Sequence, residues 1–134
     1  MKMNNLRGKI SKIKTHGNIS QVKVDLGEVC FCTVIIETPE TASYLKIGNP
    51  IQVVFKETEV IIGKGNQEDN SIQNKVDGVV LDFEKGVILS KVVIKTAIGN
   101  ISSFLTTDSA EKLQLVKGTS ICAMIQTTEI MLSE

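Results

Sequence analysis

The sequence contains two copies of one strand-forming pattern. Residues 21–26 read Gln21-Val-Lys-Val-Asp-Leu26, and 70 positions later residues 91–96 read Lys91-Val-Val-Ile-Lys-Thr96. Both place apolar side chains at every second position, which indicates a half-buried β-strand. The same offset superposes Asn4 on Asn74, Gly8 on Gly78, Ser20 on Ser90, Leu45 on Leu115, Gly48 on Gly118 and Glu59 on Glu129. A repeat of this kind predicts two tandem units of one small fold.

Each copy has five short apolar runs, and Gly, Asn and Pro separate them. They cover residues 8–14, 21–26, 29–35, 50–55 and 59–62, then 78–83, 91–96, 101–105, 120–125 and 129–132. One helix-like segment interrupts each copy, at Thr38-Pro-Glu-Thr41 and at Thr106-Thr-Asp-Ser109, because both begin with a capping residue. The pattern predicts an all-β fold with one short helix per repeat.

The expected architecture is two tandem OB-like small β-barrels, since five short strands suit a small, partly open barrel. The first repeat is expected at residues 1–63 and the second at 72–134. Between them, residues 64–71 are polar and contain glycine, which is typical of a linker. The linker is short, so we expect the two barrels to pack together.

Composition excludes several classes of function. The 134 residues are 42% hydrophobic, which permits a buried core. Fifteen Lys plus Arg balance fifteen Asp plus Glu, and there is no Trp, one Tyr and four Phe, so neither a positive field nor stacking platforms favour nucleic acid. The single histidine, His16, leaves a Ser or Cys nucleophile without an evident base. We therefore expect no enzyme and no catalytic residues.

The amino terminus and the cysteines indicate a soluble, cytoplasmic protein. The first eight residues lack the apolar segment of a signal peptide, and no stretch approaches the roughly 20 apolar residues of a membrane helix. Cys30, Cys32 and Cys122 are an odd number without C-x-x-C spacing. We expect reduced strand residues there and no metal site, because a soft metal at Cys30 and Cys32 would need two further ligands.

Three pieces of sequence carry a resemblance to a known family. They are the spacing Asn-x-x-x-Gly at 4–8 and 74–78, the segment Leu105-Thr-Thr-Asp-Ser-Ala-Glu-Lys-Leu-Gln-Leu-Val-Lys-Gly118, and the closing Phe55-Lys-Glu-Thr-Glu-Val60. With these pieces each copy resembles the Mop domain, also called the transport-associated OB-like domain, which binds molybdate and tungstate. The tandem form is similar to two-copy molybdate storage proteins and to the carboxy-terminal half of the molybdate-responsive transcriptional regulator.

The resemblance implies a set of oxyanion-binding residues. In the family the anion is held by a Ser-Ala-Arg-Asn opening motif, a Thr-x-x-Ser at the helix start, and a Lys near the last strand. The corresponding positions here are Lys56, Ser71, Gln73, Asn74, Thr106, Ser109 and Gln126. Gln73 stands where the family has Arg and Gln126 where it has Lys. Two cationic positions are therefore neutral.

The two copies differ in a complementary way. Ile36 and Pro39 stand opposite Thr106 and Ser109 at the 70-residue offset, and Met1-Lys-Met-Asn4 replaces the opening motif in the first copy. The second copy thus supplies the hydroxyls and the first supplies Lys56. This pattern leads to the hypothesis of composite sites between repeats or between subunits.

Hydroxyl and backbone N–H donors that converge at a helix start can hold a tetrahedral dianion, and a lysine adds compensating charge. Considered without the family, Thr106 and Ser109 are capping residues, and capping is compatible with anion binding. Lys56 alone would be a solvated lysine and Ser71 a turn residue. Asn74 is as well explained by hydrogen bonds to the backbone as by ligand contact.

We expect a protein that binds molybdate or tungstate as its ligand in the cytoplasm, for storage, homeostasis or sensing. We expect a homo-oligomer, because small open barrels expose strand edges and bury only small cores, and the resemblance implies a trimer or a dimer. No membrane association is expected, because no apolar stretch is long enough for a membrane helix. The sequence has no helix-turn-helix half, so no direct nucleic-acid binding is expected. The alternative is a regulatory or interaction domain of a molybdate-dependent transcription regulator or ABC transporter system, with degenerate anion sites.

Overall fold

The computed structural model describes residues 2–134 and is built almost entirely from β-strands. The strands are β1 (Met3–His16), β2 (Ile19–Asp25), β3 (Cys30–Ile35), β4 (Pro50–Lys56), β5 (Ile61–Gly63), β6 (Asn74–Glu84), β7 (Leu89–Thr96), β8 (Gly99–Thr106), β9 (Ser120–Ile125) and β10 (Met131–Ser133). One α-helix, α1 (Thr107–Lys112), and two 3₁₀ turns, Glu57–Glu59 and Thr127–Glu129, complete the elements. The predicted all-β fold is confirmed, and Met1 lies outside the described residues.

The repeated pattern has a direct structural cause. In β2 and β7 the alternating apolar residues Val22, Val24, Val92 and Ile94 are at most 1% exposed, so one face of each strand forms core. Both long first strands carry a register shift at the same place, between Ile10 and Lys12 in β1 and between Val80 and Asp82 in β6. Such bulges increase the twist of a strand and help a sheet to curl into a barrel.

The glycines of the opening motif lie where two strands approach closely. A Cβ atom on Gly8 would lie 2.6 Å from the Asp25 carbonyl oxygen, and a Cβ atom on Gly78 would lie 2.7 Å from that of Lys95. No larger residue fits without moving the neighbouring backbone. The glycine of the Asn-x-x-x-Gly spacing therefore marks a point of close strand packing.

The predicted helix forms in the second repeat only. In the first repeat, the segment that begins at Thr38 is a turn rather than a helix. Thr41 Oγ1 accepts a hydrogen bond from Thr38 N at 2.8 Å and also contacts Thr38 O at 3.2 Å. A hydroxyl that binds the local backbone in this way competes with helical hydrogen bonding. The expectation of one helix per repeat is corrected here to one helix and one turn.

The two repeats exchange their last strands. One sheet has the order β10-β4-β1-β2-β3 and the other has the order β5-β9-β6-β7-β8. Thus β5 leaves the first repeat to pair with β9, and β10 leaves the second repeat to pair with β4. Each sheet therefore contains four strands of one predicted repeat and one strand of the other. The division at 1–63, 64–71 and 72–134 stays a proposal about units of sequence.

Two asparagines bind the barrels to each other. The Asn74 side chain accepts a hydrogen bond from Cys32 N at 2.6 Å and donates one to Cys32 O at 2.8 Å. Asn4 makes the same pair of bonds to Ser102, both at 2.8 Å. Cys32 and Ser102 lie on β3 and β8, the edge strands of the two sheets. Each side-chain amide therefore pairs with an edge strand that would otherwise offer free backbone groups.

Hydroxyl groups fix the exchanged segments beside the same edge strands. Thr33 Oγ1 donates to the carbonyl oxygen of Ile130 at 2.7 Å, and Ser103 Oγ donates to that of Val60 at 3.0 Å. Val60 and Ile130 are themselves 4% and 3% exposed and belong to an apolar core that includes residues of both repeats. The packing of the two barrels expected from the short linker is observed.

The amide clamp at the barrel junction gives a test of this architecture. We expect Asn74→Ala to lower the free energy of unfolding by about 2 kcal/mol, because the Cys32 N–H and C=O lose their partners inside the junction. Urea unfolding followed by circular dichroism measures the change. Asn5→Ala is the matched control: Asn5 is exposed and bonds only the Gln52 side chain, so a change within about 0.5 kcal/mol is expected. Equal losses in the two variants would contradict the clamp.

Candidate functional site

Thr106 and Ser109 form a pair of exposed hydroxyls at the start of α1. Thr106 is the N-cap residue, with extended φ and ψ of −64° and 145°. Its Oγ1 accepts a hydrogen bond from Ser109 N at 3.1 Å and donates one to Ser109 Oγ at 2.9 Å. The Ser109 hydroxyl proton is then free to donate outward. Capping and an available donor thus occur together at this point.

Lys56 and Gln126 occupy equivalent positions in the two repeats. Each precedes a 3₁₀ turn, with φ and ψ of −70° and 145° for Lys56 and of −64° and 144° for Gln126. Both side chains are exposed. The predicted correspondence between the two residues is therefore reproduced in backbone geometry, and only the charge differs.

Strand exchange places the turn after Lys56 beside the strand that ends at Thr106 in the other repeat. The 3₁₀ turn Glu57–Glu59, which follows Lys56, packs against β8, the strand that ends at Thr106. Thr58 of that turn lines one groove together with Ser109 and Lys112 of α1. We call this region the lysine end and define it by Lys56, Thr106 and Ser109.

The other four predicted residues lie at the corresponding region of the second half, which we call the glutamine end and define by Ser71, Gln73, Asn74 and Gln126. Asn74 opens β6 and pairs with Ile125, the residue before Gln126. Ser71 and Gln73 are exposed, whereas Asn74 is 1% exposed and both ends of its amide bind Cys32.

The glutamine end lacks the hydroxyl pair. The 3₁₀ turn after Gln126 packs against β3. Beyond β3 the chain has Ile36, which is 77% exposed, and Pro39, in place of the two hydroxyl residues. The hydroxyl of Thr41 could have replaced one of the missing hydroxyls, but it is bound to the backbone of Thr38. The two ends therefore differ in chemistry although they share a fold.

Sequence reasoning missed two charged residues at the lysine end, Glu57 and Lys91. Lys91 Nζ lies 3.6 Å from Glu57 Oε1, and their side chains are 23% and 3% exposed. The signal was present in the repeat: at the 70-residue offset these positions hold Thr127 and Gln21, which are neutral. A comparison of the two copies for charge, rather than for identity, would have found the pair.

None of the three cysteines belongs to the lysine end, whereas the Cys32 backbone bonds Asn74 at the glutamine end. Cys30 is exposed, Cys32 and Cys122 are buried, and all three are free thiols. Burial raises the pKa of the Cys122 thiol, and the nearby Asp77 carboxylate raises it further, which keeps the thiol protonated. Across residues 2–134, no cluster of three His, Cys, Asp or Glu side chains is arranged to hold a metal ion. Within the same residues, the helices are too short or too polar to span a bilayer.

Comparison with known proteins finds related sequences, although it finds no matching family model. Molybdenum-pterin-binding protein 1 of Clostridium pasteurianum is 38% identical over 63 residues, which are 46% of this chain and 93% of that protein. Molybdenum-pterin-binding protein MopB of Rhodobacter capsulatus is 30% identical over 118 residues, 85% of this chain and 43% of MopB.

The fold is also found in a solved structure. The crystal structure of ModG, described as a cytoplasmic molybdate-binding protein and solved with molybdate bound, superposes with a TM-score of 0.89 at 24% identity. The superposition covers 97% of this chain and 94% of ModG, which confirms the OB-like architecture. The sequence match to nearly the whole of a relative identifies the chain as a member of the molybdenum-pterin-binding (Mop) protein family.

Proposed function

We propose that this protein binds molybdate at the lysine end. The observation that carries the proposal is the strand exchange, through which the turn after Lys56 packs beside the strand that ends at Thr106. Membership of the Mop family supports an oxyanion ligand, and ModG, of the same fold, is described as binding molybdate. Tungstate is a second ligand in the proposal because it has the same charge and tetrahedral shape.

The proposed chemistry needs only donors and positive charge. Ser109 Oγ–H is free to donate, and the Lys56 ammonium offers three N–H donors and one positive charge. Hydrogen bonds between such groups and an anion are stronger than those between neutral groups. Zero net charge of the whole chain is compatible with this, since the charge is needed only locally. No covalent step is involved, and we propose a binding protein rather than an enzyme.

We place the protein in intracellular storage or homeostasis of molybdate, in line with the description of ModG as cytoplasmic. The second candidate is a regulatory module of a molybdate-dependent transcription or transport system. It is favoured by the neutral glutamine end, which is what a partly degenerate binding module would retain. A change in the gel mobility of labelled DNA, or of a transporter subunit, on addition of the purified protein would distinguish this role from storage.

We also propose that the chain forms a homo-oligomer, a trimer or a dimer. Support comes from large apolar side chains on the surface: Ile36, Ile47, Val87 and Ile88 are between 71% and 97% exposed. Val87 and Ile88 are adjacent in sequence, and exposed apolar residues that cluster are typical of contact sites. The Val87–Ile88 tip is held firmly, because Ile88 O accepts from Thr107 N at 2.8 Å and Gly86 O accepts from Thr107 Oγ1 at 2.8 Å.

The lysine is the first residue to test. Isothermal titration calorimetry of the anion-free protein with molybdate is expected to show saturable binding that sulfate and phosphate displace poorly. Lys56→Gln, which installs the residue of the glutamine end, is expected to weaken binding at least about tenfold through loss of a charged donor. Lys46→Gln, a change of the same kind at an exposed lysine outside the lysine end, serves as control. Unchanged affinity in Lys56→Gln, or no heat with the unmodified protein, would contradict the proposal.

The hydroxyl pair gives a second test with two readouts. Thr106→Val keeps the shape of the side chain but removes its hydroxyl, so the free energy of unfolding is expected to fall by about 1 kcal/mol through loss of the cap. Molybdate affinity is expected to fall as well, since Ser109 loses the bond that orients it. Thr106→Ser retains a hydroxyl and is expected to preserve both properties. A loss of stability in Thr106→Val without a loss of affinity would show that Thr106 is a capping residue only.

A further inference from the structure

Lys91 lies on the same face of the sheet as Thr106. In the β7–β8 ladder, Lys91 pairs with Phe104 and Leu89 pairs with Thr106. Directly opposed residues of an antiparallel pair share a face, so the four side chains project from the same, outer side. Lys91 and Thr106 are diagonal neighbours, a relation in which the two residues are about 7–8 Å apart and within reach of a long side chain.

The ammonium group of Lys91 has unused donors. Its nearest charged partner, Glu57 Oε1, lies 3.6 Å away, beyond hydrogen-bond distance. The lysine side chain is 23% exposed. Glu57 directly follows Lys56, and its second carboxylate oxygen, Oε2, is buried without a hydrogen-bond partner among the described residues. The orphaned Glu57 oxygen is itself an acceptor. The Lys91 ammonium, which is partly exposed and makes no hydrogen bond within the described residues, can still donate to an acceptor from outside the chain.

The equivalent position in the first repeat provides an internal comparison. Gln21 occupies the position of Lys91, and its amide Nε2 lies 3.3 Å from Cys32 Sγ, a contact within the protein. The same contrast holds for other cations of the lysine end: at the 70-residue offset Lys2 corresponds to Ile72, Lys56 to Gln126 and Lys112 to Ala42. Lysines are thus more numerous at the end that carries the hydroxyl pair, and so are acids, since Glu57, Asp108 and Glu111 correspond to threonines at the same offset.

We infer that Lys91 is a second cationic ligand of the oxyanion at the lysine end, with Glu57 as its resident counter-ion. The inference rests on the proposed function and extends it. A dianion is only half compensated by Lys56, and the Lys91 ammonium supplies the second positive charge. Because the anion competes with the Glu57 carboxylate for the ammonium, Glu57 lowers the affinity, and the ammonium balances the buried Glu57 charge when no anion is bound.

The inference predicts opposite effects for the two members of the pair. Lys91→Gln, the residue found in the first repeat, is expected to weaken molybdate binding about tenfold through loss of a charged donor. Lys91→Arg is expected to restore most of the affinity. Glu57→Gln is expected to tighten binding, since the anion no longer competes with a carboxylate. Both Lys91→Gln and Glu57→Gln break the ion pair, so a merely structural role would shift affinity in the same direction for both.

Titration calorimetry with molybdate on the full chain measures these affinities, and urea unfolding without anion measures folding separately. Gln21→Lys is the matched control: it adds a lysine at the equivalent position beside the glutamine end and is expected to leave affinity unchanged. If Lys91→Gln binds like the unmodified protein while Lys56→Gln is weakened, the role of Lys91 is wrong and the proposed function stands. Absence of molybdate binding by the unmodified protein would overturn both.

Discussion

The fold depends on the pairing of two edge strands with asparagine side chains from the opposite barrel. A sheet edge has unpaired N–H and C=O groups, and their burial is costly unless each group finds a partner. Asn4 and Asn74 supply both partners at Ser102 and Cys32 with a single planar amide. Because these bonds join the barrels rather than close each one, the stable unit is the pair of barrels.

The exchange of β5 and β10 is a second consequence of the same junction. Each exchanged strand begins after a 3₁₀ turn that packs against the edge strand of the other barrel. The groups that converge at one end are therefore distant in sequence, such as Thr58 and Ser109. The topology thus places a turn of one repeat beside the helix start of the other within a single chain, which is the arrangement that the proposed composite site requires.

The strands were predictable from sequence because their cause is local. Alternation in β2 and β7 gives the buried faces, and the repeated glycines Gly8 and Gly78 locate close strand packing. The exchange was not predictable, since β5 and β10 have equivalent sequences and could pair with either barrel. The helix in the first repeat was predicted wrongly because the Thr41 hydroxyl binds the Thr38 backbone, a competition that propensities do not resolve. The pair Glu57–Lys91 was missed because it joins residues of different repeats.

The tandem arrangement has a consequence for how such a protein can change over time. The single-repeat relatives are about half the length of this chain, since 63 matched residues make up 93% of one of them. If two identical short chains formed this pseudosymmetric unit, every substitution would occur at both ends at once. In a covalently joined pair the residues of each end can change separately. Lys56 and Gln126 stand at equivalent positions and differ in charge, and so do Lys91 and Gln21. Covalent joining of the repeats thus allows the side chains of one end to be substituted while those of the other end stay unchanged.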